Sequence, residues 1–330
     1  RTDWKKATRY FARIEKRGID KFKQMPAVLS QAAVCYHQAK DYQNSLNANN
    51  RFLARFAADD LAGDVRFMKA ENLFMMGKRG EANVAYREFV GKHGDHRNAP
   101  AGVFRMAQIH HDEGRWQDSL NAAKPLLDKK PTGLLYQQLA FMVGDNHFRL
   151  NHWGESVGPL EEFVAEFFDP KQRRRNRAKN AQVPNIDTAL IQLAVAYDKL
   201  GAKAKALRHL VTLNTKYPYH PSKHWPLALV EQGRLAYETG DLKLAKSVLD
   251  RYLSEDRRGG KQNDVFGSKR GTQLPRAQYY LGWIAHSQER YADAAGHFGA
   301  SVQANRRHEL AADAALQQGI AHVNAKNFEA

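Results

Sequence analysis

The sequence predicts an all-α fold of stacked helical hairpins, and three observations lead to this prediction. Small residues recur along the chain at intervals of 36 to 39 residues, with two longer intervals of 49 and 50. Apolar residues within each interval follow the period of two short amphipathic helices. Glycine and proline stand at fixed places between those helices. A hairpin of this size cannot bury its apolar face alone, so the copies must stack on one another.

The unit is clearest between Val103 and Pro131, where two helical faces are joined at Gly114. The first face comprises Val103, Met106, Ala107 and His110, and the second comprises Trp116, Ser119, Ala123 and Leu126.

Three positions of this unit recur along the chain and predict where the helices cross. The small residue of the second helix gives the series Ala7, Ser45, Ala82, Ser119, Ser156, Ala206, Ala245, Ala294 and Ala330. An inward-facing residue of the first helix gives the series Tyr36, Leu73, His110, His147, Tyr197, Ala236, Ala285 and His322. A second small residue gives the series Ala33, Ala70, Ala107, Gly144, Ala194, Gly233, Gly282 and Gly319. Small side chains at both crossing points let helix backbones approach closely.

Helix ends are predicted by glycine and proline. A left-handed cap at the end of the first helix favours glycine, which fits Gly77, Gly114, Gly201 and Gly240. The first turn of a helix tolerates proline, which fits Pro26, Pro100, Pro226 and Pro275.

This pattern resembles the tetratricopeptide repeat over essentially the whole chain. The small–large alternation, the glycine turn and a closing proline occur in residues 103–131 and again in 193–218. The resemblance implies a right-handed superhelical solenoid whose first helices line a concave face. The sequence departs from the family in lacking tryptophan near the start of the first helix, and its repeat exceeds the family's ~34 residues. The linkers KHGDHRNAP and KYPYHPSKHWP look like those of bacterial cell-envelope members.

We expect residues 1–330 to form one solenoid of seven full repeats with a partial repeat at each end. The segment of Trp4, Ala7, Phe11 and Ile14 matches a second helix without its first helix, and Ala330 falls in a second helix barely begun. We therefore expect the chain to be an internal piece of a longer repeat protein.

Two basic insertions carry most of the net charge of +16. They cover residues 171–184 and 257–275, in the same register between a second helix and the next first helix. Insertions at one register project from one edge of a stack. We therefore expect a basic edge formed by Lys171, Arg173, Arg174, Arg175, Arg177, Lys179, Arg257, Arg258, Lys261, Lys269 and Arg270.

The family resemblance also indicates which first-helix side chains should line a concave groove. Carried over by register, they are Phe67, Glu71, Phe74, Phe104, Gln108, His111, Phe141, Asp145, Phe148, Ile191, Arg234, Tyr237, Tyr279, Trp283 and His286. An aromatic groove with scattered polar groups suits an extended peptide or an amphipathic helix. The alternative is that these aromatic rings fill the interior of the superhelix. The lysines and asparagines with which the family holds a terminal carboxylate are replaced here by aromatic and aliphatic residues.

Nothing in the sequence predicts an enzyme, a cofactor or a metal site. His110, His111 and Glu113 lack the spacing of a helical zinc motif, and we interpret His110, His147 and His322 as packing residues. The single cysteine, Cys35, excludes an intrachain disulfide and is interpreted as a small buried hydrophobe.

The preferred function is a non-enzymatic scaffold that binds other proteins, acidic surfaces among them, through the concave face and the basic edge. Membership of a large envelope assembly is one form this role could take. The alternatives are docking on an anionic polymer, nucleic acid or cell-wall glycan, and an accessory arm of an enzyme whose catalytic domain lies outside this chain. Nucleic acid is disfavoured because only Phe266 offers an aromatic ring beside the basic loops. The compartment is open, with a lean to the bacterial periplasm or envelope over the cytoplasm.

Overall fold

A computed structural model describes residues 3–16, 23–168, 185–216, 222–258 and 271–326. Within these ranges the regular structure is helical, without a strand. The helices are α1 Trp4–Lys16, α2 Met25–Gln38, α3 Tyr42–Phe56, α4 Ala62–Met75, α5 Arg79–Lys92, α6 Ala99–Asp112, α7 Trp116–Asp128, α8 Leu134–Arg149, α9 Trp153–Phe168, α10 Ile186–Lys199, α11 Lys203–Val211, α12 Trp225–Glu238, α13 Leu242–Arg258, α14 Leu274–Ser287, α15 Tyr291–Ala304 and α16 Ala311–Asn324. A π-helical turn, Thr212–Lys216, follows α11.

The chain divides into two compact units, Arg1–Leu150 and Asn151–Ala330. In each unit the helices that pack extensively are neighbours, or neighbours but one, in chain order. This is the contact pattern of a repeat array, in which each unit touches only those beside it. The all-α helical-repeat class predicted from the sequence is confirmed, whereas one continuous solenoid over residues 1–330 stays a prediction.

The predicted crossing points are buried. The second-helix series from Ser45 to Ala294 is fully enclosed, and the first-helix series from Ala33 to Gly282 is likewise buried. At the chain ends Ala7 is half-buried and Gly319 is exposed, while Ala330 lies outside the described residues. Small residues therefore mark helix contacts wherever a helix has neighbours on both sides.

Large side chains fill the spaces beside these small ones. In the first unit Phe52, Tyr86 and Phe89 are fully buried, and in the second unit Tyr252 and Phe298 are. Full burial of a side chain of this size stabilises the fold by roughly 2–3 kcal/mol. Each unit therefore has apolar clusters of its own, packed between successive hairpins.

Helix ends follow the predicted chemistry. Pro26, Pro100, Pro226 and Pro275 occupy the first or second position of α2, α6, α12 and α14. Positive φ angles of 74° to 86° occur at Gly77, Gly114, Gly201 and Gly240. Lys40, Asn151, Glu289 and Lys326 also have positive φ at the equivalent turns, which was not predicted.

The second basic insertion is shorter than predicted. Helix α13 continues through Arg258, and α14 begins at Leu274. Arg257 and Arg258 are thus the last residues of a helix, and Leu274 with Pro275 is the start of the next. Cys35 is buried, which confirms its interpretation, and burial raises the pKa of its thiol.

Candidate functional site

Within each unit, polar contacts connect first helices that lie one repeat apart in the chain. In the first unit Arg105 of α6 pairs with Glu71 of α4, and His111 of α6 pairs with Asp145 of α8. In the second unit Arg234 of α12 pairs with Asp198 of α10, and Tyr279 of α14 donates a hydrogen bond to Asp313 of α16. The partners are separated by 34 or 36 residues, which is about one repeat.

Around Glu71, this contact buries an aromatic ring. Glu71 accepts hydrogen bonds from the Tyr86 hydroxyl and from Arg105 Nε, the latter at 3.1 Å. The guanidinium groups of Arg105 and Arg79 lie 4.6 and 3.8 Å from the centre of the Phe74 ring. Guanidinium groups are attracted to aromatic faces at such distances. Phe74 is therefore enclosed by its neighbours.

Around Asp145, the arrangement is similar. Asp145 Oδ2 lies 2.6 Å from His111 Nε2 and accepts from Arg149 Nε at 2.7 Å, and the Asp145 side chain is 1% exposed. Trp116 meets His111 edge-on at 5.1 Å, and the Arg149 guanidinium lies 4.5 Å from the Trp116 ring centre. The Asp145 carboxylate is consequently committed to partners inside the fold.

The second unit contains a groove of about 420 Å³, which we call the first-helix groove. Its walls come mainly from three successive first helices, α10, α12 and α14, with Leu210 of α11 and the residues just before α16. The lining residues are Ile191, Ala194, Val195, Asp198, Lys199, Leu210, Leu227, Glu231, Arg234, Leu235, Arg276, Tyr280, Glu309 and Leu310.

Two arginines organise the charges of this groove. Arg234 donates to Asp198 at 2.6 Å, to Glu231 at 2.7 Å and to Glu238 at 2.8 Å. Arg276 donates to Glu231 at 2.6 Å and to Glu309 at 2.5 Å. Burial lowers the pKa of the Arg234 guanidinium, but the carboxylates outweigh burial and hold that pKa above its usual range. The two arginines and their carboxylate partners therefore form one connected ion-pair network through Glu231.

Apolar side chains separate these ion pairs. Val195, Leu227, Tyr280 and Leu310 are each partly exposed along the groove. Burial raises the pKa of Tyr280 to about 12, so its hydroxyl stays protonated at neutral pH. The groove thus offers an apolar surface between charges that compensate one another.

The predicted groove residues fall into two groups. Ile191 and Arg234 line the first-helix groove, whereas Tyr237, Tyr279, Trp283 and His286 are half-buried outside its lining. Tyr279 and Trp283 pack against Phe298 of α15, with ring centres 5.9 and 5.6 Å apart.

In the first unit the structure differs from the expectation of an open aromatic lining. Phe74, Phe104 and Asp145 are buried. Phe67 packs on Tyr86 and Phe89 of α5. The remaining positions, Glu71, Gln108, His111, Phe141 and Phe148, are half-buried. Tyr86 and Phe89 of α5 cover the Phe67 ring, and Arg79 and Arg105 cover the Phe74 ring. Phe67, Phe74 and the buried Phe104 therefore fit the alternative, in which aromatic rings fill the interior.

Sequence reasoning missed Asp198, Glu231 and Arg276, which carry the charge of the groove. Their only signal was a recurrence of charged residues on successive first helices, roughly one repeat apart.

Most of the predicted basic edge lies outside the described residues. This applies to Lys171, Arg173, Arg174, Arg175, Arg177, Lys179, Lys261, Lys269 and Arg270. Arg257 is exposed at the end of α13 and donates to the Leu253 carbonyl at 3.2 Å. A shared basic edge stays a prediction.

The described part of the chain contains no cluster of three or more histidine, cysteine, aspartate or glutamate side chains placed to hold a metal ion. None of its helices combines the length and the apolar character needed to cross a bilayer. His110, which the sequence predicts to be a packing residue, is buried in α6, where burial lowers the pKa of its imidazole.

Comparison of the structure with solved structures identifies the fold. The C-terminal part of a TPR repeat-containing protein from Cytophaga hutchinsonii matches with a TM-score of 0.56 at 13% identity, over 86% of this chain and 98% of that chain. The chain has a tetratricopeptide-repeat fold. The apo form of RapI also resembles it, with a TM-score of 0.53 at 12% identity over 99% of this chain and 94% of that chain.

No protein-family model and no curated protein matches the sequence, so the tetratricopeptide-repeat fold is assigned from the structure alone.

Proposed function

We propose that this chain is a non-enzymatic scaffold that binds a segment of a partner protein in the first-helix groove. The observation that carries the proposal is the groove itself, in which three successive first helices present apolar side chains between paired charges. The likeness to solved repeat structures supports the fold only.

The shape of the groove favours an extended peptide or one face of a helix. It runs across several hairpins, from Ile191 on α10 to Leu310 before α16. A preformed groove loses little conformational entropy when it binds, so more of the contact energy appears as affinity. Val195, Leu227 and Tyr280 provide the apolar contacts for such a segment.

The ion pairs give the groove a means of selecting its ligand. Arg276 is paired with Glu309, whose side chain is 66% exposed. An exposed pair of this kind contributes little to stability. A partner carboxylate can therefore replace Glu309 on Arg276 at small cost, and the preferred segment carries an acidic residue next to its apolar ones.

Selection from a displayed library of short random peptides tests the proposal. Peptides selected on the whole chain should be apolar with an acidic residue. Val195→Glu should weaken their binding at least about tenfold, because it places a charged carboxylate among the apolar side chains of the groove, where an acidic apolar peptide would bury it. Binding is measured by fluorescence anisotropy with a labelled peptide.

The matched control is Val84→Glu, which introduces the same charge at an exposed position of α5 in the first unit. It should leave the affinity unchanged. Selected peptides that bind the Val195→Glu and Val84→Glu variants equally well would show that the groove is not the binding site.

A more specific form of this proposal is that the chain is part of a bacterial cell-envelope assembly. It depends on the resemblance of the linkers, and it predicts that the chain co-purifies with envelope fractions of the source cell.

A further inference from the structure

One carboxylate of the first unit shows how this chain holds an acid between its helices. Arg105 donates to the Glu71 carboxylate through two nitrogens, Nε at 3.1 Å and Nη2 at 3.3 Å. The hydroxyl of Tyr86 donates to the same carboxylate. Two parallel N–H groups of one arginine fix the orientation of a carboxylate as well as its position. An arginine edge and a tyrosine hydroxyl therefore form a carboxylate-binding set in this protein.

The first-helix groove contains the same two kinds of donor on helix α14. Arg276 and Tyr280 both line the groove and are four residues apart, which places them on one face of the helix. The Tyr280 ring packs against two other rings, with centres 6.0 Å from Tyr237 and 5.4 Å from Tyr279. This packing restricts the positions that the Tyr280 hydroxyl can take.

Neither donor is fully used within the described part of the chain. Arg276 donates through Nη1 to Glu231 and through Nη2 to Glu309, and its Nε has no partner there. The Tyr280 hydroxyl has no hydrogen-bond partner among the described residues either. Four other tyrosine hydroxyls each donate to a carboxylate, and they belong to Tyr86, Tyr197, Tyr252 and Tyr279. Tyr280 is thus a tyrosine placed among charges without such a bond.

Glu309 is the partner that Arg276 can most easily exchange. The Glu309 side chain is 66% exposed, whereas that of Glu231 is 14% exposed and is also bound by Arg234. Release of Glu309 frees Nη2 of Arg276 beside the unpartnered Nε. These two nitrogens make up the edge with which Arg105 holds its carboxylate in the first unit.

We propose that Arg276 and Tyr280 form a carboxylate subsite of the first-helix groove, which binds the side chain of an aspartate or glutamate in the partner segment. The carboxylate accepts from Nε and Nη2 of Arg276 and from the Tyr280 hydroxyl, and Glu309 is released to solvent. An asparagine or glutamine is rejected, because its NH₂ group would face these donors with a donor of its own. The inference rests on the proposed function, since it assigns one part of the groove proposed there.

The probe is a labelled acidic peptide selected on the whole chain, compared with the same peptide in which the acidic residue is replaced by its amide. Fluorescence anisotropy gives the affinity of each peptide for wild type and for Tyr280→Phe. Wild type should bind the acidic peptide at least about tenfold more tightly than the amide peptide. Tyr280→Phe should weaken the acidic peptide about five- to tenfold and change the amide peptide less than about twofold, because the ring remains and one donor is lost. A merely structural role of Tyr280 would not produce this coupling.

Two matched controls accompany these variants. Tyr291→Phe removes a hydroxyl from a half-buried tyrosine of α15 outside the groove lining and should leave both affinities unchanged. Glu309→Gln should tighten the acidic peptide about threefold, because a competing carboxylate is removed. Glu81→Gln changes a similarly exposed ion pair, with Lys78 in the first unit, and should have no effect on binding.

The subsite is overturned if selection enriches no acidic peptide, if the acidic and amide peptides bind alike, or if Tyr280→Phe weakens both equally. Weaker binding to Val195→Glu than to Val84→Glu would still support the groove in those cases, so the two failures are distinguishable. Equal binding to the two valine variants would overturn the groove and the subsite together. Amidation of the peptide's C-terminus should leave the affinity unchanged, and loss of binding would overturn the assignment to a side-chain carboxylate.

Discussion

The side-chain amide of Asn72 donates a hydrogen bond of 2.8 Å to the hydroxyl of Ser45 across the boundary between two hairpins. The Ser45 hydroxyl in turn donates to the carbonyl of Ala33 at 2.8 Å. This chain of bonds connects α2, α3 and α4 inside the core. The arrangement recurs 74 residues later, where Asn146 donates to Ser119 at 2.8 Å and Ser119 donates to Ala107 at 2.9 Å.

Removing this bond should destabilise the first unit. Asn72→Ala should lower the free energy of unfolding by about 1–3 kcal/mol, because it removes the bond to the buried Ser45 hydroxyl and the contact with the half-buried His37, whose Nδ1 lies 2.7 Å from Asn72 Oδ1. Urea unfolding followed by circular dichroism measures the change. Gln43→Ala removes an exposed amide of α3 and should change stability by less than about 0.5 kcal/mol. Equal effects of the two substitutions would contradict the importance of the buried bond.

The turn residues with positive φ should respond in opposite directions to substitution. Glu289→Gly should raise stability by about 0.5–1 kcal/mol, because a left-handed conformation strains any residue with a Cβ. Gly240→Ala, at the equivalent turn of the preceding hairpin, should lower it by about 1 kcal/mol. The melting temperatures of the two variants provide the comparison.

Gly296→Ala is the control for glycine substitution itself. Gly296 lies inside α15 with open space around it. Alanine there should stabilise the helix by up to about 1 kcal/mol. A gain in stability from Gly240→Ala would refute the assignment of strain to the turn.

The network around Arg234 should be sensitive to loss of its cation. Arg234→Met should cost about 3 kcal/mol, because it leaves the partly buried carboxylate of Asp198 without its counter-ion and leaves Glu231 paired with Arg276 alone. Denaturant unfolding of the whole chain measures this loss. Lys246→Met breaks an exposed pair with Asp250 and should change stability by less than about 0.5 kcal/mol. The network would have no structural role if the two variants were equally stable.

The free energy of unfolding should fall as the pH drops below about 6.5, because two half-buried histidines bind protons less readily in the folded chain than in the unfolded chain. Burial lowers the pKa of His209 and of His297 below their ordinary value of 6.5. The unfolded chain then binds protons at a higher pH than the folded chain does, so their contribution is complete above pH 6.5 and is lost towards the folded pKa.

The melting temperature between pH 7.5 and pH 5.5 tests this, since most carboxyl groups remain ionised there. His297→Gln removes one of the histidines whose pKa is lowered and should make the decline shallower. An unchanged pH dependence in this variant would show that His297 does not contribute.

The fold was predictable because its signals are local. Alanine, serine or glycine recurs at the crossing points from one repeat to the next, and proline recurs at the start of several first helices. The positive φ angles of Lys40 and Glu289 were not predicted, because lysine and glutamate have no preference for the left-handed conformation. At these positions the hairpin geometry imposes the conformation and the residue tolerates it.

The candidate site was harder to predict because its contacts join different repeats. From the sequence alone, Arg276 would be taken for a solvent-facing charge. In the structure, α12 and the residues before α16 place Glu231 and Glu309 beside it. Phe74 was predicted to line the groove, but in the structure Arg79 and Arg105 cover its ring. Which first-helix side chains remain accessible depends on neighbours that sequence periodicity does not specify.

Hydrogen exchange of the whole chain, with and without a peptide selected on it, tests most directly whether the first helices of the second unit form the recognition surface. The account predicts that the bound peptide slows exchange in Ile186–Lys199, Trp225–Glu238 and Leu274–Ser287, and leaves Leu242–Arg258 unchanged. Protection confined to the second helices, or to the basic segment 171–184, would contradict it.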